Sequence, residues 1–232
     1  MNFMLIAVIV LGAIALVAAA VLFVCSKKFA VKEDPRIAQV SAVLPQANCG
    51  GCGFPGCSGM ADALVKAADG GSLDGLNCPV GGAAVMEQVA DLLGMAVANT
   101  EPMVAVVRCN GTCENRPKTV EYCGLRTCAA MNACAAGETA CGFGCLGCGD
   151  CADACQFGAI TVNPDTGLPE VNEDLCTACG ACAKACPRHI IELRKKGPKG
   201  RRVYVSCVNR DKGPAAKKAC AAACIGCGKC EK

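Results

Sequence analysis

The sequence predicts an α+β protein made of one N-terminal transmembrane helix followed by small cysteine-rich modules. Two observations carry this prediction: an uncharged apolar run over residues 4–24, and 24 cysteines in 232 residues, most of them in closely spaced, repeated runs. With no Trp, two Tyr and six Phe, the part after the helix has little aromatic material for a large core. Its folding free energy is therefore expected to come substantially from metal ligation, as in other small metal-binding domains.

The first element is the apolar run over residues 4–24, which contains no charge and no proline. At the rise of an α-helix it spans about 31 Å, enough to cross the hydrocarbon core of a bilayer. A cleaved signal peptide is disfavoured because no basic residue precedes the run, and a lipoprotein signal is disfavoured because the large Val24 precedes Cys25. The basic residues that follow are Lys27, Lys28, Lys32 and Arg36. The positive-inside rule then predicts a single pass through the cytoplasmic (inner) membrane, with everything after residue 25 in the cytoplasm.

The strongest chemical signal is a pair of CxxCxxCxxxC runs, the second of which ends in Cys186-Pro187. Three thiolates two residues apart, with a fourth after three more, are the run with which bacterial-type ferredoxins hold [4Fe–4S] clusters. In such two-cluster domains the fourth cysteine of each run ligates the other cluster. The expected ligands are Cys145, Cys148, Cys151 and Cys186 for one cluster, and Cys155, Cys176, Cys179 and Cys182 for the other.

Disulfides and structural zinc are the other uses of so many cysteines. The CxxCxxC runs hold their thiols too close together to pair without strain, and zinc sites usually draw on two separated pairs rather than on repeated triplets. Iron–sulfur ligation is therefore favoured, and a structural zinc protein stays as an alternative. The single histidine, His189, is expected to be packed or solvent-facing because the ligand positions beside it are already filled.

A different pattern of four cysteines, CxxCxxxxC followed by a distant Cys-Pro, lies nearest the membrane helix. Its glycines let the backbone wrap closely and direct N–H groups at cluster sulfurs. Helical periodicity from Ser58 onward places Cys57 at a helix N-terminus, where the helix dipole favours an anionic cluster. Residues 82–97 predict a second helix that closes the module. The expected ligands of this [4Fe–4S] cluster are Cys49, Cys52, Cys57 and Cys78.

An internal duplication relates the middle of the chain to its end. Predicted strands over residues 103–108 and 202–206 each end at a cysteine, and each is followed by a CxxxCxxCxxC run. The later run has no fourth cysteine after it, so we expect the natural chain to continue past residue 232 with another half-unit. The ligands that this run offers are Cys224, Cys227 and Cys230.

The remaining thiols predict at least one more cluster, although several of them could instead be free thiols in a helix over residues 125–136. One alternative joins the cysteines that precede the two later runs, Cys141 and Cys220, to Cys109 or Cys207. The favoured set is Cys109, Cys113, Cys128 and Cys141. The chain is thus expected to hold at least three [4Fe–4S] clusters, and a number of four or more is favoured.

Residues 159–171 predict a β-hairpin between the two ferredoxin runs, with its turn at residues 163–167. The whole chain then divides into six segments. They are a transmembrane helix (1–25), a juxtamembrane linker (26–48), a small helical 4Fe–4S module (49–98), a cysteine-rich strand and helix connector (99–141), a two-cluster ferredoxin-like domain (142–195) and the start of a further ferredoxin-like unit (196–232).

The order of these parts resembles a known family. A membrane helix, the basic turn SKKFAVKEDPRI, the module LPQANCGGCGFPGCSGMADAL and tandem ferredoxin runs are similar to the B subunit of Rnf complexes over essentially the whole chain. The resemblance implies an electron-transfer subunit of a ferredoxin:NAD⁺ oxidoreductase that is coupled to Na⁺ or H⁺ translocation. It also implies partners: reduced soluble ferredoxin, and other membrane and peripheral subunits.

Several functions are disfavoured by what the sequence lacks. It has no GxGxxG after a strand, no Walker loop and no Ser/His/Asp constellation, so NAD and flavin are expected on other subunits. A formal net charge of +3 is too small to indicate nucleic acid as a partner, whereas membrane lipid is expected around the helix. The alternatives left open are an electron-transfer component that reduces a redox sensor or serves a corrinoid or disulfide reductase.

Overall fold

Helix α1 (Asn2–Lys28) forms the first of two units into which the chain divides, residues 1–35 and 36–232. The structure is a computed structural model that describes residues 2–28, 34–96, 101–134 and 137–230. The predicted apolar run lies wholly inside α1, whose stretch Ile6–Lys28 is long and apolar enough to cross a membrane. Large apolar side chains are exposed along this stretch, as expected for a helix whose surroundings are lipid.

Three helices build the first part of the second unit: α2 (Pro35–Val43), α3 (Cys57–Asp69) and α4 (Gly82–Leu93). Their apolar faces meet in one core, since helix periodicity aligns side chains three and four residues apart. The fully buried side chains of this core include Val40, Met60, Leu64, Met86 and Val89.

Two boundaries of this part differ from the prediction. The segment expected as a linker contains α2, because Val40 and Leu44 give it an apolar face that packs on the core. Helix α4 ends at Leu93 rather than at residue 97, because Gly94 takes a left-handed conformation (φ 67°). Its N–H and that of Met95 bond back to the last turn, which is the glycine-based C-terminal cap of many helices.

Among the described residues from 101 to 230, two short antiparallel sheets and four short helices form the rest of the unit. Strands β2 and β3 pair as the predicted hairpin, whereas β1 pairs with β4 over the full length of both. In chain order the elements are β1 (Met103–Val107), α5 (Cys128–Cys134), α6 (Asp150–Asp153), β2 (Ile160–Val162), β3 (Pro169–Val171), α7 (Ala181–Ala185), β4 (Ile191–Lys195) and α8 (Gly213–Ala219). A 3-10 turn covers Pro198–Gly200.

The predicted strand over residues 202–206 is not a strand in the structure. Its counterpart in the internal duplication, β1, pairs with β4 over its full length. Side chains hold the segment instead: the Arg108 Nε donates to the Val205 carbonyl oxygen at 3.1 Å, and Arg202 forms an ion pair with Glu173. The alternating pattern of residues 202–206 therefore does not produce a strand, because β1 pairs with residues 191–195 instead.

The core around these sheets contains cysteines as well as aliphatic residues. Ile160, Ile190 and Ile191 are buried together with the thiols of Cys145 and Cys182. A smaller core beside it surrounds the fully buried Ala216 and includes two further buried cysteines. Since so few large apolar side chains are present, the sulfur atoms occupy positions that aliphatic carbons fill in an ordinary domain.

The helical part and the ferredoxin-like part touch where Gly51 packs on Cys179. A Cβ atom on Gly51 would lie 2.7 Å from the carbonyl oxygen and 2.9 Å from the Cα of Cys179, so only a hydrogen fits there. The Lys184 ammonium also approaches the Gly50 carbonyl oxygen, at 3.5 Å. The glycines of the first cysteine run therefore serve a close approach between two cysteine-rich segments.

We expect Gly51→Ala to lower the free energy of unfolding by about 1–3 kcal/mol, because the added methyl meets backbone atoms that must move. The matched control is Gly142→Ala, where a Cβ atom would meet nothing within 4 Å and the change should stay within about 0.5 kcal/mol. Urea denaturation under anaerobic conditions measures both. Equal stability of the two variants would contradict this close contact.

Candidate metal centres

The first site gathers the cysteines of the helical part. Cys57 is the first residue of α3, and its N–H donates to the Asn48 Oδ1 at 2.9 Å, which fixes where the helix begins. Burial raises the pKa of the Cys78 thiol, and the nearby thiols of Cys52 and Cys57 raise it further. Backbone N–H groups point at two of the sulfurs: Gly51 at Cys49 Sγ (3.5 Å) and Gly81 at Cys78 Sγ (3.4 Å).

The second site is a cavity lined by Cys155, Cys176, Cys179 and Cys182, the set expected from the ferredoxin pattern. Burial raises the pKa of the Cys182 thiol to about 11, and the thiols of Cys176 and Cys179 act in the same direction. Backbone N–H groups of Ala105 and Ala159 donate to Cys176 Sγ and Cys155 Sγ at 3.5 and 3.3 Å. Such donors stabilise thiolate charge.

The third site is a cavity lined by Cys145, Cys151 and Cys186 together with Cys128, which the ferredoxin pattern did not place there. Burial raises the pKa of the Cys145 thiol to about 12. Burial also raises the pKa of the Cys148 thiol to about 11, with the Cys128 thiol beside it as the next cause. Cys148 lies beside Cys128 but does not line the cavity, so the cavity itself presents four thiols, the number that a cubane needs.

Asp150 explains why Cys128 reaches the third site. Its carboxylate accepts the N–H of Cys128 at 2.7 Å and that of Ala129 at 3.1 Å, and so caps the start of α5. Asp150 stands inside the first ferredoxin run, one residue before Cys151. Nothing in the spacing of the cysteines reveals a bond between residues this far apart in the sequence, so sequence reasoning missed it.

The structure does not bring together the set Cys109, Cys113, Cys128 and Cys141. Cys128 belongs to the third site, and Cys113 is exposed beside the hairpin turn, where its N–H donates to the Thr166 carbonyl oxygen at 3.0 Å. Cys109 and Cys141 instead line a fourth cavity with Cys207 and Cys220. Cys128 is separated from Cys109, Cys113 and Cys141 because α5 directs it toward the first ferredoxin run.

The last run, Cys224, Cys227 and Cys230, borders an open cavity of about 550 Å³. Arg108, Arg188 and Arg210 line it too, as does His189, whose backbone is left-handed (φ 50°). Cys227 and Cys230 are exposed, whereas the cysteines of the two ferredoxin runs are buried or half-buried. The Asn209 amide donates to the Cys224 carbonyl oxygen at 2.8 Å and holds the start of the run.

Two arginines lie between the third site and the fourth cavity, and no motif in the sequence singles them out. Arg116 is buried and donates to the Cys145 carbonyl oxygen. Arg188 donates to the carbonyl oxygens of Cys141 (3.2 Å) and Gly144 (2.6 Å). Burial and the charge of Arg116 lower the pKa of Arg188, while the neighbouring thiols raise it. Fixed positive charge at this place favours anionic groups on both sides.

Comparisons with known families identify iron–sulfur segments in two parts of the chain. Residues 144–190 match the family of 4Fe-4S dicluster domains, and residues 44–69 match a second family, whose description is an Fe-S cluster. The first match covers the two ferredoxin runs, and the second covers the first cysteine run and helix α3. The class of protein is therefore an iron–sulfur protein of the dicluster ferredoxin type, extended by a second kind of cysteine module.

Similar proteins name the family. The chain is 43% identical over 224 residues to the B subunit of the Na(+)-translocating ferredoxin:NAD(+) oxidoreductase complex of Acetobacterium woodii, covering 97% of this chain and 65% of that protein. It is 40% identical to the B subunit of the ion-translocating oxidoreductase complex of Methanosarcina acetivorans, covering 96% and 81%. It is 42% identical to the B subunit of the proton-translocating ferredoxin:NAD(+) oxidoreductase complex of Clostridium ljungdahlii, covering 97% and 76%. The chain belongs to this family, the B subunits of Rnf-type ion-translocating oxidoreductase complexes, and it spans about two thirds of the Acetobacterium relative.

We expect the Cys148→Ala variant to retain iron at the third site, because Cys128 lies beside Cys148 and lines the cavity. The double variant Cys128→Ala/Cys148→Ala should lose one cluster's worth of iron and acid-labile sulfide, since only three thiols remain. Analysis of anaerobically purified protein measures both. A full loss in the Cys148→Ala variant alone would show that Cys128 does not substitute for it.

Proposed function

We propose that the chain is the membrane-anchored iron–sulfur electron-transfer subunit of a ferredoxin:NAD⁺ oxidoreductase that translocates Na⁺ or H⁺. Membership of the B-subunit family supports this, since two of the relatives are named as subunits of such complexes. The observation that carries the proposal is that the candidate sites form a continuous series in the second unit. A series of redox centres in contact suits a chain that passes electrons between partners.

The series begins at the helical part and runs into the ferredoxin-like part. Gly51, inside the first cysteine run, touches the backbone of Cys179, which belongs to the second site. The second and third sites exchange cysteines, because Cys155 follows the first run but lines the cavity of the second. Cys186 does the reverse and lines the cavity of the third site. Each neighbouring pair of sites is thus joined by protein contacts.

The proposed cofactors are at least three [4Fe–4S] clusters, each of which, when bound, takes up and gives back one electron. Within the described residues no three His, Cys, Asp or Glu side chains converge on the position of a single metal ion. The repeated CxxCxxC triplets, rather than two separated pairs of cysteines, favour the cluster over zinc. The proposed ligands are Cys49, Cys52, Cys57 and Cys78; Cys155, Cys176, Cys179 and Cys182; and Cys145, Cys151 and Cys186 with Cys148 or Cys128.

The residues around the sites set their charge and their access to water. Backbone N–H groups that donate to the sulfurs of Cys49, Cys78 and Cys176 lower the cost of added negative charge. Arg116 and Arg188 do the same from the side of the third site. Burial of Cys145 and Cys151 keeps solvent away from the clusters, which is another means by which a protein tunes their potentials. NAD⁺ and flavin are assigned to other subunits of the complex.

The chain is proposed to cross the cytoplasmic membrane once, with its cysteines on the cytoplasmic side. The apolar α1 supplies the anchor, and its last turn carries Lys27 and Lys28, which favour the cytoplasmic face. A reducing compartment also keeps the thiols available for iron.

Reporter fusions test this topology. A fusion placed after residue 230 should be active only as a reporter that works in the cytoplasm. As a control, the same reporter fused before α1 should show the opposite behaviour. Efficient labelling of a C-terminal tag from outside intact cells would overturn the proposed orientation.

Electrons are proposed to enter at the ferredoxin-like part, from reduced soluble ferredoxin, and to leave through the helical part toward membrane partners. The sequence supports this direction, because Cys49 follows the membrane anchor closely whereas the ferredoxin runs lie far along the chain. The contact at Gly51 provides the connection that such a route requires.

Cys57→Ala should leave reduction of the ferredoxin-like clusters by soluble ferredoxin intact. It should lower ferredoxin-dependent NAD⁺ reduction in membranes at least about 10-fold, the scale on which even indirect changes at metal sites act. Cys123→Ala, which removes an exposed thiol outside the described cavities, is the matched control. Normal NAD⁺ reduction with Cys57→Ala would take the first site off the route and leave it a structural role.

A further inference from the structure

The fourth cavity is lined by four cysteines from four separate segments. Cys109 follows β1, Cys141 precedes the first ferredoxin run, Cys207 follows the segment anchored on Arg108, and Cys220 follows α8. None of them lies within residues 44–69 or 144–190, the two parts that match iron–sulfur families. No CxxC spacing connects them, so they meet only through the fold.

The four thiols are two equivalent pairs, one from each half of the internal duplication. In the first half the N–H of Cys145, the first cysteine of its run, donates to Cys109 Sγ at 3.4 Å. In the second half the N–H of Cys224, at the matching place, donates to Cys207 Sγ at 3.4 Å. An accident of packing would not repeat the same bond in both halves. The duplication has therefore preserved a way of presenting a sulfur atom.

Cys141 and Cys220 are buried against apolar side chains, whereas Arg108, Arg116, Asn110 and Asn209 line the rest of the cavity. Cys141 and Cys220 are 7% and 5% exposed, and the apolar side chains beside them include Ala216, Ala223 and Phe143. A Cβ atom on Gly111 would lie 3.2 Å from Cys220 Sγ, so glycine allows the backbone to pass close to this sulfur. Two buried and two half-buried thiols around one cavity resemble the second and third sites rather than surface cysteines.

Arg116 supplies a second, independent sign of a ligand. It lines the fourth cavity, it is 8% exposed, and its Nε has no hydrogen-bond partner among the described residues. The other end of its guanidinium donates to the Cys145 carbonyl oxygen at the third site. A buried cation with an unused N–H costs free energy unless an anionic acceptor is present. The four cysteines beside it can provide that acceptor once they bind iron.

We propose that Cys109, Cys141, Cys207 and Cys220 hold a further [4Fe–4S] cluster, to which the Arg116 Nε–H donates. Each thiol releases its proton to water as its sulfur binds one iron of the cluster, and no oxidation state changes in this step. The inference rests on the proposed iron–sulfur function and extends it. The series of sites then continues from the third site into the second half of the duplication. Cys109 Sγ accepts a hydrogen bond from the Cys145 N–H at the third site, and Cys207 and Cys220 belong to the second half.

The decisive experiment counts clusters in the full chain by anaerobic native mass spectrometry. The test variant is Cys141→Ala/Cys220→Ala, and the control is Cys123→Ala/Cys134→Ala, which removes two exposed thiols outside the described cavities. The test variant should carry one cluster fewer than the wild type, while the control keeps them all. An equal number in both variants, or zinc in place of that cluster, would overturn the inference.

A labelling experiment on the wild-type protein decides the matter if the double variant fails to fold. Cys109 and Cys207 are only half-buried, so burial alone does not protect them. In the cluster-containing protein they should resist alkylation, while Cys123 reacts, and they should become reactive after oxidation and chelation remove the iron. Alkylation of Cys109 and Cys207 as fast as Cys123 before iron removal would overturn the inference. Wild-type protein with no iron at all would instead contradict the proposed function itself.

Arg116→Gln tests the assigned role of the guanidinium. The variant should keep its cluster count but shift the reduction potential of one or both neighbouring clusters to more negative values, because a positive charge no longer favours the reduced form. Redox titration followed by electron paramagnetic resonance measures this. Unchanged potentials would remove Arg116 from the site.

Discussion

The burial of thiols is the constraint on which the rest of the structure depends. Cys145, Cys151 and Cys182 lie in the core of the ferredoxin-like part, among isoleucines that alone would make a very small core. Burial raises the pKa of the Cys145 thiol to about 12, so protein groups alone do not make it a thiolate at neutral pH. Under the proposed function, iron would supply the charge that compensates for burial, and cluster ligation would then contribute directly to folding.

This constraint explains the arrangement of polar groups around the sites. Backbone N–H groups, rather than side chains, donate to the sulfurs of Cys49, Cys145 and Cys176, and they belong to Gly51, Gly147 and Ala105 of strand β1. Two side chains also lie near the thiols. Arg116 and Arg188 donate to backbone carbonyl oxygens and place fixed positive charge between two groups of thiols. The small, irregular secondary structure is therefore ordered around sulfur atoms.

The parts of the fold that the sequence predicted well depend on neighbours in the chain. The hairpin over β2 and β3, the start of α3 at Cys57 and strand β1 follow from turn residues, helix periodicity and alternation. Three of the four thiols that line the cavity of the second site come from one short run, whose spacing is a local property of the chain. The spacing of cysteines was enough to predict the thiols of a site wherever one short segment supplies most of them.

The features that the sequence did not reveal depend on distant contacts. Strand β4 takes the edge of β1, α2 packs on the helical part through Val40, and Asp150 brings Cys128 to the third site. The fourth cavity needs four segments at once, and the sequence left open which thiols would meet there. Each of these features is set by packing or by a single side-chain bond between segments that no pattern of spacing connects.

The exchange of cysteines between segments also sets an order of maturation. Domains tend to fold from the N-terminus as the chain leaves the ribosome. The cysteines of the first site lie close together, Cys49 to Cys78, so this module can receive its iron while the rest is still being synthesised. The third site must wait for Cys186, and the fourth cavity is complete only when Cys220 has emerged. The thiols of the sites therefore become available in order along the chain, and a nascent chain interrupted in its second half lacks cysteines that the third site and the fourth cavity need.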